Sequence, residues 1–289
     1  MTNDNCRSSF VVGPHMADIT FHAIQKGLRE IGLTHESRVI VHASLSALGR
    51  VKGGAETVVG ALTSICGLVV MPTFTYQCMV WPLAGPPNNA VTYGDHEDDN
   101  AYAEIFRPDL PAHPSLGLVA ETLRRLPGAI RSAHPVMSFA AWGEGAQTVV
   151  SGQSLAEPLG PMAHLADASR DGDVLLLGVG HTVNTSLHYA EYRAGRKQFI
   201  RWALTPHGVR ECPGFPGCSD GFQAIVPKLE GINRRVQIGA AKVEAVPLSP
   251  LIEIVRAWIA ADPLALLCSN EFCQRCSAVR VTSISRERG

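Results

Sequence analysis

The stretch Arg38–Pro72 constrains the fold more than any other part of this 289-residue chain. Arg38-Val-Ile-Val-His-Ala43 is a short β-branched run suited to a buried strand. A polar segment, Ser44–Gly54, follows it. Val58, Val59, Leu62 and Ile65 then recur at helical spacing, and Gly67–Pro72 forms a second apolar run. Strand, loop, helix and strand make a βαβ unit. Such units build sheets covered on both faces, with ligand sites beyond the carboxyl ends of the strands.

The remaining periodicities extend this pattern. Residues 16–33 read as an amphipathic helix carrying Ile19, Ile24, Leu28 and Ile31 inward. A helix starting at Ser115 ends at Pro127-Gly128, and Ser138–Trp142 reads as a strand. A short helix runs from Pro158 to near Ser169. Strands are expected at 173–178, 197–203, 235–238 and 242–246, with helices at 220–229 and 249–261. No internal repeat or low-complexity linker divides the chain. The expected fold is therefore one α/β domain over residues 1–289, a central mixed sheet flanked by helices. Residues 76–113 are a loop-rich insertion expected to form part of a substrate cleft. Residues 268–289 form a cysteine-containing tail.

Charge excludes some classes of function. A net charge of −1 provides no field for nucleic acid or an anionic membrane. The longest apolar stretch, Val58–Met71, is too short and too interrupted for a span of roughly 20 residues. The N-terminus lacks the basic start and apolar core of a secretion signal, so a cytoplasmic location is expected. In that setting the eight cysteines read first as reduced thiols. A structural zinc site built from Cys273-x-x-Cys276, Cys268 and the Cys212/Cys218 pair is the lesser reading, and no metal ligand is assigned.

Chemistry concentrates where a strand gives way to a helix at Leu175–Arg193. His188 and Glu191 lie three residues apart on the helix that follows, so they share a face. A carboxylate bonded to one ring nitrogen raises the basicity of the other, as a general base requires. On spacing alone the commoner arrangement is a surface pair worth about a few tenths of a kcal/mol. Ser44, Ser46, Gly49, Gly53 and Gly54 offer hydroxyls and approachable N–H groups before a helix, which suits a phosphate or a simple capped turn equally. Arg131, Ser132 and His134 sit in a polar turn where the arginine can grip an anion or face water. Asp95, Glu97, Asp98, Asp99 and Glu104 form an acidic segment complementary to a polycation, or simply a solvated loop. A G-x-S-x-G elbow and an H-E-x-x-H pair are both absent.

Taken in order, several segments resemble the aminoglycoside 3-N-acetyltransferase family, antibiotic-acetylating enzymes distinct from the GNAT superfamily. They are Val41–Gly49 with Val51–Gly54, Val70–Thr75, Gly117 with Glu121, and Pro127–Pro135. Ser138–Gly143, Leu175–Val179 and Thr185–Glu191 complete the series. The resemblance implies acetyl transfer from acetyl-CoA to the 3-amino group of a 2-deoxystreptamine antibiotic, and so antibiotic resistance. It implies His188 as general base and Glu191 as its partner; a backbone N–H or the Thr185 hydroxyl is the candidate oxyanion donor. It implies a coenzyme site at His42, Ser44, Ser46, Gly49, Gly53, Gly54, Arg131, Ser132 and His134. Substrate-side candidates are Tyr76, Asp95, Asp98, Asp99, Glu104 and Glu121. Many members carry F-D-P where this chain has Phe106-Arg-Pro-Asp109, which leaves a metabolic amine as an alternative acceptor. A zinc-stabilised binding protein without catalysis is the competing class. A monomer or homodimer is expected.

Overall fold

The computed structural model describes residues 18–167 and 171–287. Its strands are β1 (Arg38–Ala43), β2 (Leu68–Pro72), β3 (Met79–Val80), β4 (Ile130–Arg131) and β5 (Phe139–Gly143). They continue with β6 (Asp173–Leu177), β7 (Phe199–Thr205), β8 (Gly208–Phe215), β9 (Arg234–Ile238) and β10 (Ala241–Pro247). The helices are α1 (Phe21–Glu30), α2 (Leu45–Leu48), α3 (Gly54–Ile65), α4 (Glu97–Asn100) and α5 (Gly117–Arg125). After them come α6 (Ala146–Ser151), α7 (Gly160–Leu165), α8 (Thr185–Arg193), α9 (Leu248–Ala261) and α10 (Gln274–Glu287).

Seven strands form the central mixed sheet in the order β4-β5-β2-β1-β6-β10-β9. Its middle is parallel: Val39 pairs with Val69 of β2 and with Asp173 of β6. The flanks, β5 on β2 and β10 on β6, run antiparallel. Side-chain alternation divides the interior into two cores. Val39, Val41, Val69, Met71, Leu175 and Leu177 face α1, α3 and α5. Ile40, Leu68, Val70, Val174 and Leu176 face α6, α7, α8 and α9. Two-sided burial explains why these strands read as continuous apolar runs rather than alternating ones.

The order of strands places the site. From β1 the chain moves outward to β2 and the edge strand β4, comes back one place as β5, and then crosses to the other side of β1 with β6. The direction of winding reverses between β1 and β6, and an open sheet leaves a crevice at such a point, outside the carboxyl ends. Gly178 makes the tight exit from β6. Its φ of +68° is left-handed, and a Cβ there would come within 2.6 Å of the Ala47 methyl. Only glycine lets α2 and the end of β6 approach this closely.

Several sequence expectations change in detail. The first helix begins at Phe21, because the Thr20 hydroxyl caps the Ala23 N–H at 3.2 Å. Ile19 instead bridges Val51, and residues 16 and 17 lie outside the described residues. The helix after Pro158 ends at Leu165; Ser169 also lies outside the described residues. Residues 222–229 wind as tight 3₁₀ turns, and Pro227 within them has no N–H for an α-helical bond. A second sheet, β3-β7-β8, was not expected. Strand β8 carries Pro213 and Gly214 and is exposed along its first half, so its pattern gives no strand signal. Residues 76–113 are mostly irregular, as expected, yet supply β3 and α4. No helix among the described residues is long and apolar enough to cross a membrane.

Candidate active site

A cavity of about 950 Å³ opens at the carboxyl ends of β1, β2 and β6, where the strand order reverses. One wall comes from β1 and the segment after it, with His42, Ser44, Ser46, Gly49 and Gly54. The opposite wall comes from the segment after β6, with Thr182, Thr185 and His188. Met71, Phe74 and Tyr76 extend from β2, and Gly117 and Leu118 open α5. Its size is at the upper end for small-molecule sites.

His188 and Glu191 are not a surface pair. Nδ1 of His188 lies 3.1 Å from Oε2 of Glu191, and the glutamate is 2% exposed. Because a carboxylate only accepts, this contact assigns the ring proton to Nδ1 and leaves the Nε2 lone pair available. Arg196 donates to the other carboxylate oxygen of Glu191 at 2.7 Å. Its guanidinium also donates to the carbonyls of Ala265 and Pro263, each at 2.8 Å. The carboxylate is thereby held from both sides, and the buried charge is compensated. The Phe222 ring packs on the imidazole at a centroid distance of 4.6 Å. A chain of contacts through Arg196, Glu191 and His188 thus ends at the cavity.

His42 plays a different part. It is buried on β1, and its Nε2 accepts the Thr185 N–H at 3.3 Å. Burial, with further repulsion from His181 and His188, pushes its pKa down to about 3. A permanently neutral ring that accepts from the first residue of α8 fixes that helix against the sheet. The other cap of α8 is Asn184, whose Oδ1 takes the Ser186 N–H at 3.0 Å. The Thr185 amide is therefore occupied, and the residue lies in the cavity wall.

Across the cavity, Ser44 caps α2 through the Ala47 N–H at 3.3 Å and contacts the Ser46 hydroxyl at 3.1 Å. Gly53 takes a left-handed conformation directly before α3 and does not itself line the cavity. The serines therefore serve as caps and at the same time present oxygens to the cavity.

Other expected site residues lie elsewhere. Arg131, Ser132 and His134 are absent from the cavity wall. The Arg131 guanidinium is spent on the carbonyls of Thr73, Pro108 and Leu110 and on the Ser138 hydroxyl. Ser132 accepts the Phe139 N–H at 2.8 Å. His134 Nδ1 accepts the N–H groups of Val136 and Met137, and burial pushes its pKa down to about 4. This turn ties β4 and β5 to the loop after β2. Asp95, Asp98, Asp99 and Glu104 also lie off the cavity. Asp95 caps the Glu97 N–H, Asp99 pairs with His96, and Asp98 and Glu104 are exposed. Glu121 is held by Arg124 and the Ala112 N–H, and those bonds keep its pKa low against the opposing effect of burial. Of the substrate-side set, only Tyr76 faces the cavity.

Several wall residues were missed. Ser115, Met137, Thr182, Phe215, Ser219 and Arg275 come from segments distant in sequence, with no motif to mark them. Among the described residues, the one grouping with metal-ligand character consists of four cysteines and is not in the cavity wall.

A parallel βαβ core with a buried carboxylate–histidine pair beside a cavity at its switch point defines the class: an α/β fold with a small-molecule site at the carboxyl ends of its strands. The profile of the aminoglycoside 3-N-acetyltransferase family matches residues 40–260, and the chain belongs to that family. Aminoglycoside N(3)-acetyltransferase IX of Micromonospora chalcea is 32% identical, over 84% of this chain and 94% of its own length. Aminoglycoside N(3)-acetyltransferase VIII of Streptomyces fradiae is 35% identical, over 83% and 92%. Among solved structures, a histidine-to-alanine mutant of aminoglycoside acetyltransferase AAC(3)-IVa in complex with gentamicin is similar, with a TM-score of 0.73 at 25% identity. That match covers 92% of this chain and 98% of the other.

Proposed function

We propose that this chain transfers the acetyl group of acetyl-CoA to the 3-amino group of 2-deoxystreptamine aminoglycosides, a resistance activity, with His188 as general base. The observation that carries the reading is the His188–Glu191–Arg196 chain ending at a cavity of about 950 Å³. Family membership supplies the donor and acceptor classes, and the gentamicin-bound neighbour supports the acceptor. None of the relatives named above points to a metabolic amine.

An aminoglycoside ammonium is not nucleophilic until it loses a proton. His188 Nε2 accepts that proton, and the resulting imidazolium is stabilised by Glu191 across its Nδ1–H. The freed amine attacks the thioester carbonyl, forming a C–N bond while the carbonyl electrons move to oxygen. Thr185, a residue of the cavity wall, is assigned to donate its hydroxyl to that oxyanion. Collapse breaks the C–S bond; the attacking nitrogen sheds its second proton to solvent to become the neutral amide, and the released coenzyme thiolate takes its proton from His188. Amine and thioester become amide and thiol with no covalent enzyme intermediate, so both substrates occupy the cavity together. Ser44, Ser46 and the N-terminus of α3 are assigned to the coenzyme side.

A thiol-release assay with acetyl-CoA and a panel of aminoglycosides tests the reading. Thiol should appear only when an acceptor bearing a 3-amino group is added, and the product should carry acetyl on that nitrogen. Release with simple metabolic amines but not with aminoglycosides would overturn the acceptor assignment.

A further inference from the structure

The four cysteines of the C-terminal region occupy one point in space. Cys218 follows β8, Cys268 lies in the turn after α9, and Cys273 and Cys276 flank the start of α10. Their Sγ atoms all lie within 4.8 Å of one another; three of the residues are buried and Cys273 is half-buried. We propose that Cys218, Cys268, Cys273 and Cys276 form a structural site for one zinc ion, which staples the C-terminal tail to the wall of the cavity.

The donor set and the spacing both fit. Zinc bound by thiolates at about 2.3 Å in a tetrahedron sets its sulfurs about 3.8 Å apart. Sulfurs already confined within 4.8 Å need only small side-chain adjustments to reach that geometry. A closed set of four sulfurs has no open position for water, which is the structural rather than the catalytic pattern. Cys273-x-x-Cys276 provides two ligands from one turn, and Cys218 and Cys268 provide one each from separate loops. The Cys268 N–H points at Cys276 Sγ at 3.4 Å, the kind of backbone donor that steadies a thiolate ligand. Loading is balanced by proton release: four thiols and Zn²⁺ give a tetrathiolate complex of charge −2 and four protons.

Packing explains what the ion would do. Cys218, Cys268 and Cys276 form a small cluster separate from the two large cores, with Leu267 and Cys273 against it. This corner therefore holds little apolar area of its own. Beside it, Arg275 donates to the Gly217 carbonyl at 3.0 Å, and Arg275, Gly217 and Ser219 all line the cavity. A metal at the cysteines fixes two segments, 215–219 and 273–276, that together make one side of the cavity. Arg280 donates to the Cys268 carbonyl at 2.7 Å and places a compensating positive charge near the thiolates. Cys212, grouped with Cys218 in the sequence reading, is excluded: it is buried in β8 and is not a member of the cluster.

The test is elemental analysis of the purified full-length chain without an affinity tag. One zinc per chain is expected. Replacement by Co²⁺ should give the visible absorption of a tetrahedral tetrathiolate. Cys218→Ser and Cys276→Ser should each lose most of the metal, while Cys212→Ser should retain it. Stripping zinc from the wild-type chain with a chelator should lower its melting temperature and raise KM several-fold, with melting temperature restored on re-addition. The metal content and spectrum do not depend on any activity, so they separate this proposal from the assignment of the reaction. A metal-free chain with four thiols open to labelling, the four cysteines recovered as disulfides, or iron in place of zinc would overturn it.

Discussion

Two histidine-bearing segments stand out in this sequence, and the fold treats them in opposite ways. In the turn before β5, His134 accepts two backbone N–H groups, and its neighbours Arg131 and Ser132 are likewise consumed by main-chain atoms. On α8, His188 gives one nitrogen to a buried glutamate and turns its ring to the cavity. Both segments carry polar residues in a recognisable order. What separates them is how the bonding capacity is used. A side chain that spends its acceptor on the backbone away from the cavity holds the fold, and one that turns a ring nitrogen to a crevice can do chemistry.

The largest contrast is expected from alanine at each histidine. His188→Ala should lower kcat by a factor on the order of 10² or more and leave the melting temperature nearly unchanged. His134→Ala should do the reverse, with kcat within a few-fold of wild type. Orphaning two buried N–H groups there should cost about 3 kcal/mol of stability, measured by denaturant unfolding. Arg131→Met sharpens the same point: a loss of about 2 kcal/mol from unmet carbonyls, with KM for acetyl-CoA unchanged. A large rise in that KM would return Arg131 to the coenzyme site.

Glu191→Gln preserves shape but removes the charge that holds the imidazolium. A fall in kcat of about tenfold or more is expected, with the acidic limb of the pH–rate profile displaced to lower pH. A glutamate that served only to anchor Arg196 would leave that profile in place.

The smallest effect comes from protons. His42 and His134 have folded pKa values near 3 and 4, well below the ordinary 6.5. The unfolded chain therefore binds protons that the folded chain refuses, and stability must fall as pH drops through 6.5 toward 4. Between pH 7 and pH 6 the two together should cost about 1 kcal/mol. Replacing His134 should reduce that slope. An unchanged slope would mean that its ring is not held neutral.

The sequence made the parallel core legible because strands buried on both faces appear as uninterrupted apolar runs. Arg38–Ala43 and Asp173–Leu177 are the clearest cases. The His188–Glu191 pair was visible as a spacing but not as a buried contact, since Arg196 and the Ala265 carbonyl reach it only through the fold. Arg131, Ser132 and His134 lie off the cavity wall and bond to main-chain atoms, which residue type alone does not reveal. The acidic residues of 95–104 are likewise off the cavity wall, because membership of the insertion does not fix which of its residues face the cavity. The cysteines were legible as residues but not as one set, because 50 residues separate Cys218 from Cys268.

The most direct test separates binding from turnover in His188→Ala. Acetyl-CoA should bind this variant as it binds the wild type in a calorimetric titration. Thiol release with a saturating aminoglycoside should nonetheless fall by a factor on the order of 10² or more. Turnover near the wild-type rate in a variant that binds acetyl-CoA normally would contradict the assignment of the base, and with it the account of the crevice.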